Sequence, residues 1–197
     1  MTSRPPRLYL YALVSPGLDV ARLGTGIADE PLQLVALGPL DAVVGEMEDR
    51  PSIAPAALGA HDEVLRHVGS VSDALLPLPF GALVSDASEL RDGLTPRLPA
   101  LAAALEATRG CDQMTLRVQA GEPFAGLGAL RESLRPLVRR EKLEEGGAPP
   151  LRATILHLVE RTRVPEYRAR VDELQASLED VRLDVTGPWV PYAFTEL

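Results

Sequence analysis

The sequence predicts an α+β protein of two small domains, the first ferredoxin-like and the second a smaller α+β unit. Three observations carry this. Short strand-like runs alternate with helical stretches along the whole chain. Gly121-Glu122-Pro123 breaks the pattern and separates a block over 1–120 from one over 123–197. The 197 residues fit one large domain or two small ones, at roughly 150 residues per domain. A hydrophobic share of 46% and a charged share of 24% are those of a globular chain, not a disordered one.

Each element has its own signature. Leu8–Val14 is apolar at every position, as in a central strand covered on both faces. Ser15-Pro16-Gly17 ends it, and residues 18–31 show no period beyond a loop or short helix. Leu32–Ala36 and Asp41–Glu46 read as strands of a hairpin around Gly38-Pro39. Over 60–75, Val64, Leu65, Val68, Val71 and Leu75 form one helical stripe. Asp62 and Glu63 are expected in its first turn, where the helix dipole favours negative charge. Pro77 and Pro79 exclude a helix over Leu75–Val84 and make it extended.

Asp86 with Glu89 resembles a capping box and opens a short helix, with a second over 96–108. Met114–Gln119 alternates as a half-buried strand. Leu127, Leu130, Leu134 and Leu137 recur at helical spacing, with Pro136 forcing a kink or restart. Lys142 falls at the Glu-rich end of this helix, and Glu144–Pro150 reads as a linker. Ala153–Val159 is a strand, apolar on both faces. Pro165 opens a helix over 165–178 with Val171, Leu174 and Leu178 as its stripe. Val181, Leu183 and Val185 alternate in a final strand.

Charge and residue usage exclude several functions. The net charge of −8 and pI of about 4.9 argue against a nucleic-acid partner, and no polybasic patch suits an anionic membrane. From Asp29 to Asp49 stand six carboxylates and no base, a solvated edge or a docking surface for a basic partner. The longest apolar stretch, Ala74–Val84, contains two prolines and is far below the ~20 residues that span a bilayer. The start offers no secretory signal, so a cytoplasmic protein is expected.

Catalytic and metal signatures are weak. One cysteine, Cys111, excludes a disulfide framework and a cysteine-pair zinc site. His61-Asp62-Glu63 matches half of a zinc deaminase signature, whose cysteine half a single Cys cannot supply. His61 and His67 are six apart, not the four that place two ligands on one helix face. His157, inside an apolar strand, reads as a packed core histidine, and Cys111 as a structural thiol. No phosphate loop, dinucleotide fingerprint or hydrolase motif occurs. The sequence therefore assigns no catalytic residue, cofactor or metal.

Trp189, Tyr192 and Phe194 are three of the eight aromatic residues and crowd near the C-terminus with Pro188 and Pro191. Such a segment is stiff and costs little entropy to order. It either caps the second domain's core or presents a partner-docking surface, and the two readings are compatible.

Three segments together resemble the gas vesicle protein F/L family (GvpF/GvpL). Thr186-Gly187-Pro188-Trp189-Val190-Pro191-Tyr192-Ala193-Phe194 is similar to its terminal T-G-P-W-P-P-Y-S-F signature. Leu76-Pro77-Leu78-Pro79-Phe80-Gly81 resembles its L-P-x-R-F-G segment, after a helix opened by His61. Leu8-Tyr9-Leu10-Tyr11 resembles its opening strand. Pro79 stands in place of the family's Arg, and Val190 in place of a proline. The resemblance implies two α+β domains and a non-enzymatic accessory or minor structural protein of gas vesicles, located in the vesicle within the cytoplasm. It implies a part in shell nucleation or assembly, through contact with the small hydrophobic shell protein and other gas vesicle accessory proteins. Motif residues expected to carry that contact are Pro77, Phe80, Gly81, Gly187, Pro188, Trp189, Pro191, Tyr192 and Phe194. The alternative, a small-molecule-binding or regulatory α+β module, requires a concave apolar pocket with converging polar groups.

Overall fold

A computed structural model describes residues 5–121 and 125–195. It divides into two compact units with the boundary between Arg109 and Gly110.

The first unit is built on β1 (Arg7–Val14), the strand apolar at nearly every position. It pairs antiparallel with β3 (Asp41–Met47), which pairs with β2 (Leu32–Ala36) in the expected hairpin. On its other side lie β4 (Leu75–Pro77) and β5 (Leu83–Val84). Leu10 and Leu13 join one core with Leu90 of α2 (Ala87–Leu94) and with Leu101 and Leu105 of α3 (Leu98–Thr108). Tyr9 and Tyr11 point to the opposite face, against His61 of α1 (Pro55–Val71). Both faces of β1 are thus covered, as its unbroken hydrophobicity requires.

Two details of the first unit differ from expectation. α1 starts at Pro55, with proline in the first turn where its missing N–H costs nothing. Asp62 and Glu63 therefore sit past the first turn, and Asp62 pairs with Arg66 at 2.9 Å instead. His61 lies inside the helix rather than opening it. The cap at Asp86 is as read: its Oδ1 accepts from the N–H groups of Ser88 and Glu89, and the Glu89 carboxylate accepts from Ser85 N–H.

The second unit contains β6 (Cys111–Ala120), α4 (Leu127–Leu134), β7 (Arg140–Glu145), β8 (Leu151–Glu160), α5 (Val164–Ser177) and β9 (Val181–Trp189). The sheet order is β7-β8-β6-β9, antiparallel throughout. This is a complete β-α-β-β-α-β ferredoxin-like pattern. The first sheet repeats the strand order as β2-β3-β1-β4. Its first connection, however, carries a 3-10 turn (Val20–Arg22) where the pattern has a helix. Ferredoxin-like strand order thus holds in the first unit, and the full pattern belongs to the second.

The expected domains over 1–120 and 123–197 are corrected by one strand. Cys111–Ala120 lies between β8 and β9, so the second sheet crosses the Gly121 break. Gly121 stands at the exit of β6, while Glu122 and Pro123 lie outside the described residues. β7 occupies residues whose sequence reads as a helix end and a linker. Of its residues only Leu143 packs on the core, which leaves almost no hydrophobic period to read. Pro136 does end α4, in a 3-10 turn over Arg135–Leu137.

Both helices of the second unit cover one face of its sheet. Leu130 and Leu134 of α4, and Tyr167 and Val171 of α5, pack on Met114, Leu116, Val118 and Ile155. On the other face, Cys111 and Leu158 form a small separate cluster with Phe194.

Candidate partner-binding site

The aromatic tail closes on that helix-free face, and Gly187 sets its path. Its φ is +111°, a conformation that side chains rarely adopt. A Cβ there would stand 2.7 Å from the Gln113 carbonyl oxygen. The pairing of β6 with β9 shifts register at this point, from Thr115 opposite Thr186 to Gln113 opposite Trp189. The extra residue makes a bulge that redirects the chain. Arg168 of α5 donates to the Gly187 carbonyl. Beyond the bulge, the Gln113 side chain accepts from Ala193 N–H at 2.9 Å. The backbone then turns twice, with Tyr192 N–H donating to Val190 and Phe194 N–H to Pro191.

This path sorts the motif into two sets. Val190, Pro191 and Phe194 are buried, and Phe194, 1% exposed, also lies under the Arg140 guanidinium at 5.7 Å. Pro188, Trp189 and Tyr192 face outward, with Trp189 39% and Tyr192 40% exposed. The Trp189 indole N–H is within 3.4 Å of Thr186 Oγ1, which satisfies its polar edge near the strand and leaves the ring outward. The tail both caps the sheet and displays aromatics.

The other motif residues lie in the first unit. Pro77 is buried at the end of β4, opposite Ala12. Pro79 is exposed, and its carbonyl accepts from Ala82 N–H to close a turn. Gly81 occupies the third position of that turn with φ +81°, as a type II turn demands. Gly81 N–H donates to the Tyr9 hydroxyl at 3.0 Å. Phe80 is half-buried. It meets the edges of Tyr9 and His61 at centroid distances of 6.3 and 5.5 Å.

Beneath this turn lies a polar cluster that the sequence did not announce. Tyr9 Oη is 3.0 Å from His61 Nδ1, and the Tyr11 ring stacks on the same imidazole. Tyr11 donates to Glu30 at 2.5 Å and accepts from Ile27 N–H. Burial pushes both tyrosines up and His61 down from their ordinary ranges. A second buried group joins His157 to the Tyr167 hydroxyl at 2.8 Å and to Glu141 at 2.9 Å, with Arg131 holding the same carboxylate. Burial keeps His157 below the usual imidazole range despite Glu141. Burial opposes ionisation of Glu141, but hydrogen bonds from Arg131 and His157 outweigh it and hold its carboxyl low. Both histidines read as structural: each is walled in by packed side chains.

Cys111 is buried, and burial raises its thiol, the opposite of an activated nucleophile. Among the described residues, no three His, Cys, Asp or Glu side chains are grouped to hold a metal ion, and no helix is long and apolar enough to cross a membrane. Gln113 and Arg168 are positioning residues that sequence reasoning missed, and Tyr9 and His61, though named there, are not legible there as the groups that hold the Phe80–Gly81 turn. Each meets its motif from elsewhere in the chain, so no local spacing reveals it.

Known proteins share this fold. The GvpF crystal structure from Anabaena sp. superposes with a TM-score of 0.84 at 15% identity, covering 98% of this chain and 97% of that one. GvpF from Microcystis aeruginosa gives 0.82 at 16% identity, covering 97% and 99%. In sequence, gas vesicle protein F2 of Halobacterium salinarum is 28% identical over 200 residues, spanning 96% of this chain and 92% of the relative. Gas vesicle protein F of Streptomyces sp. is 26% identical over 238 residues, spanning 95% and 99%. The pattern of the family described as gas vesicle synthesis protein GvpL/GvpF matches residues 7–126 and 125–196. The chain therefore belongs to the GvpL/GvpF family, and its role is a gas vesicle one.

Proposed function

We propose that this protein is a non-enzymatic accessory component that takes part in nucleating or assembling the gas vesicle shell by binding the small hydrophobic shell protein. The observation that carries this reading is the division of the tail motif. Phe194, Pro191 and Val190 anchor it, while Trp189 and Tyr192 stand outward on a backbone fixed by Gln113 and Arg168. Aromatic rings held this way offer apolar area that is already ordered, so little entropy is lost when a partner covers them. A small apolar subunit is the chemistry they fit. Vesicle association inside the cytoplasm follows from the same reading, as does contact with other gas vesicle accessory proteins.

The test is complementation of a strain lacking this gene with Trp189→Ala/Tyr192→Ala. Both side chains are exposed, so the variant should fold. Loss of vesicles, with loss of shell-protein capture by the purified folded variant, is the expected result. Normal vesicles and undiminished capture would overturn the assignment of this surface.

A further inference from the structure

A second surface of different chemistry lies in the same unit, between α4 and β7. Here a cleft of about 520 Å³ is lined by four arginines, Arg131, Arg135, Arg139 and Arg140, against two carboxylates, Glu132 and Glu141. The local excess of positive charge stands out in a chain of net charge −8. Glu141 is already engaged by Arg131 and His157. Arg135 pairs with Glu132 at 3.3 Å, with both side chains more than 70% exposed, and Arg139 pairs with Glu160 at 2.9 Å, with the two side chains 38% and 48% exposed. Ion pairs so exposed are weak and readily exchanged.

The wall opposite α4 is a sheet edge. β7 is terminal in the order β7-β8-β6-β9, and among the described residues it pairs with β8 alone. A strand in that position offers a row of backbone donors and acceptors to an added strand. Gly128 of α4 lines the cleft, and a Cβ there would meet nothing within 4 Å, so this wall leaves room.

We propose that this cleft docks a short extended acidic segment of a partner protein, which adds as a strand beside the start of β7 and sets its carboxylates against Arg135 and Arg139. Arginine forks match carboxylates in geometry as well as charge. Charges on the edge discourage neutral strands, so the same residues that admit an acidic segment reject indiscriminate pairing. Glu144 and Glu145, at the far end of β7, limit the segment to the first half of the strand. This inference stands on the cleft alone and does not rest on the shell-protein reading.

The experiment is an amide NMR titration of the full chain at low salt. The probe is an acetylated, amidated hexapeptide alternating Asp with Val. Controls are the same peptide with Asn for Asp, and inorganic phosphate. The expected result is saturable shifts in the amides of residues 140–143 with the acidic peptide only, weakened about tenfold in Arg135→Glu. Arg135→Ala, milder for folding, should weaken it less, and salt raised from about 50 to 300 mM should do likewise. Equal binding of the Asn peptide, or no shift in β7, would overturn the proposal. Phosphate competing as well as the peptide, with the β7 amides unmoved, would mark a free-anion site and overturn it too.

Discussion

Gly187 passes the backbone of Gln113 so closely that no side chain fits between them: a Cβ would lie 2.7 Å from the Gln113 carbonyl oxygen. The same Gln113 accepts the Ala193 N–H beyond the bulge. One glycine and one glutamine therefore fix both ends of the turn from which Trp189 stands outward. Gly187→Ala must strain the backbone at φ +111° and push β9 off β6. A loss of at least about 1–3 kcal/mol is expected from backbone strain alone. Urea unfolding followed at Trp189, the single tryptophan, measures it. A loss under about 0.5 kcal/mol, the level of a neutral surface change, would mean the bulge is not tight.

The aromatics of the tail should separate by role. Phe194 is 1% exposed, and its truncation to Ala should cost about 3–5 kcal/mol, as for other buried phenylalanines. Trp189→Ala and Tyr192→Ala should each cost clearly less, about 1 kcal/mol, because their rings keep 39% and 40% of their surface exposed against 1% for Phe194. Denaturant midpoints of the three single variants decide it. If all three destabilise alike, the tail is a cap and displays nothing.

Phe80 is a weaker anchor than its place in the motif suggests. Half-buried and meeting Tyr9 and His61 edge-on, it should cost about 1–2 kcal/mol on truncation to Ala, below the ~3–5 of full burial. Gly81→Ala, at φ +81° and with its N–H on Tyr9, should cost as much or more through the turn itself. Thermal melts of both variants rank them, and a loss for Phe80→Ala above about 3 kcal/mol would show a fully buried ring in solution.

Legibility followed hydrophobic period and local chemistry. β1, the β2–β3 hairpin, β8 and the Asp86 cap were readable because each carries its signal within a few residues. β7 was not, since an edge strand with one core contact, Leu143, has no pattern to find. The domain boundary was misplaced for a related reason. Gly121 does follow the end of a strand, but that strand, β6, is claimed by β8 and β9, partners that occur later in the sequence. The tail motif was visible as composition. Its inward and outward halves were not, because Gln113 and Arg168, which impose that division, are distant in sequence.

The buried ring systems make stability depend on pH in a stated direction. His61 and His157 are held below the ordinary imidazole range by burial. The unfolded chain therefore takes up protons at these positions before the native state does. Their contribution is present above about pH 6.5, the unfolded imidazole value, and is lost as pH falls below it. Tyr9, Tyr11 and Tyr167 are raised by burial, so the sign reverses: the unfolded chain ionises first, and stability falls as pH climbs past about 10. Glu141, held low mainly by Arg131 against its burial, adds a further loss in acid below the usual carboxylate range. The urea midpoint should thus be flat across about pH 7–9 and fall on both sides. His157→Gln should lower it at neutral pH and flatten the descent between about pH 6.5 and 5. A wild-type midpoint that rises from about pH 7 to 5.5 would show that these imidazoles gain protons in the native state, and would refute the buried neutral assignment.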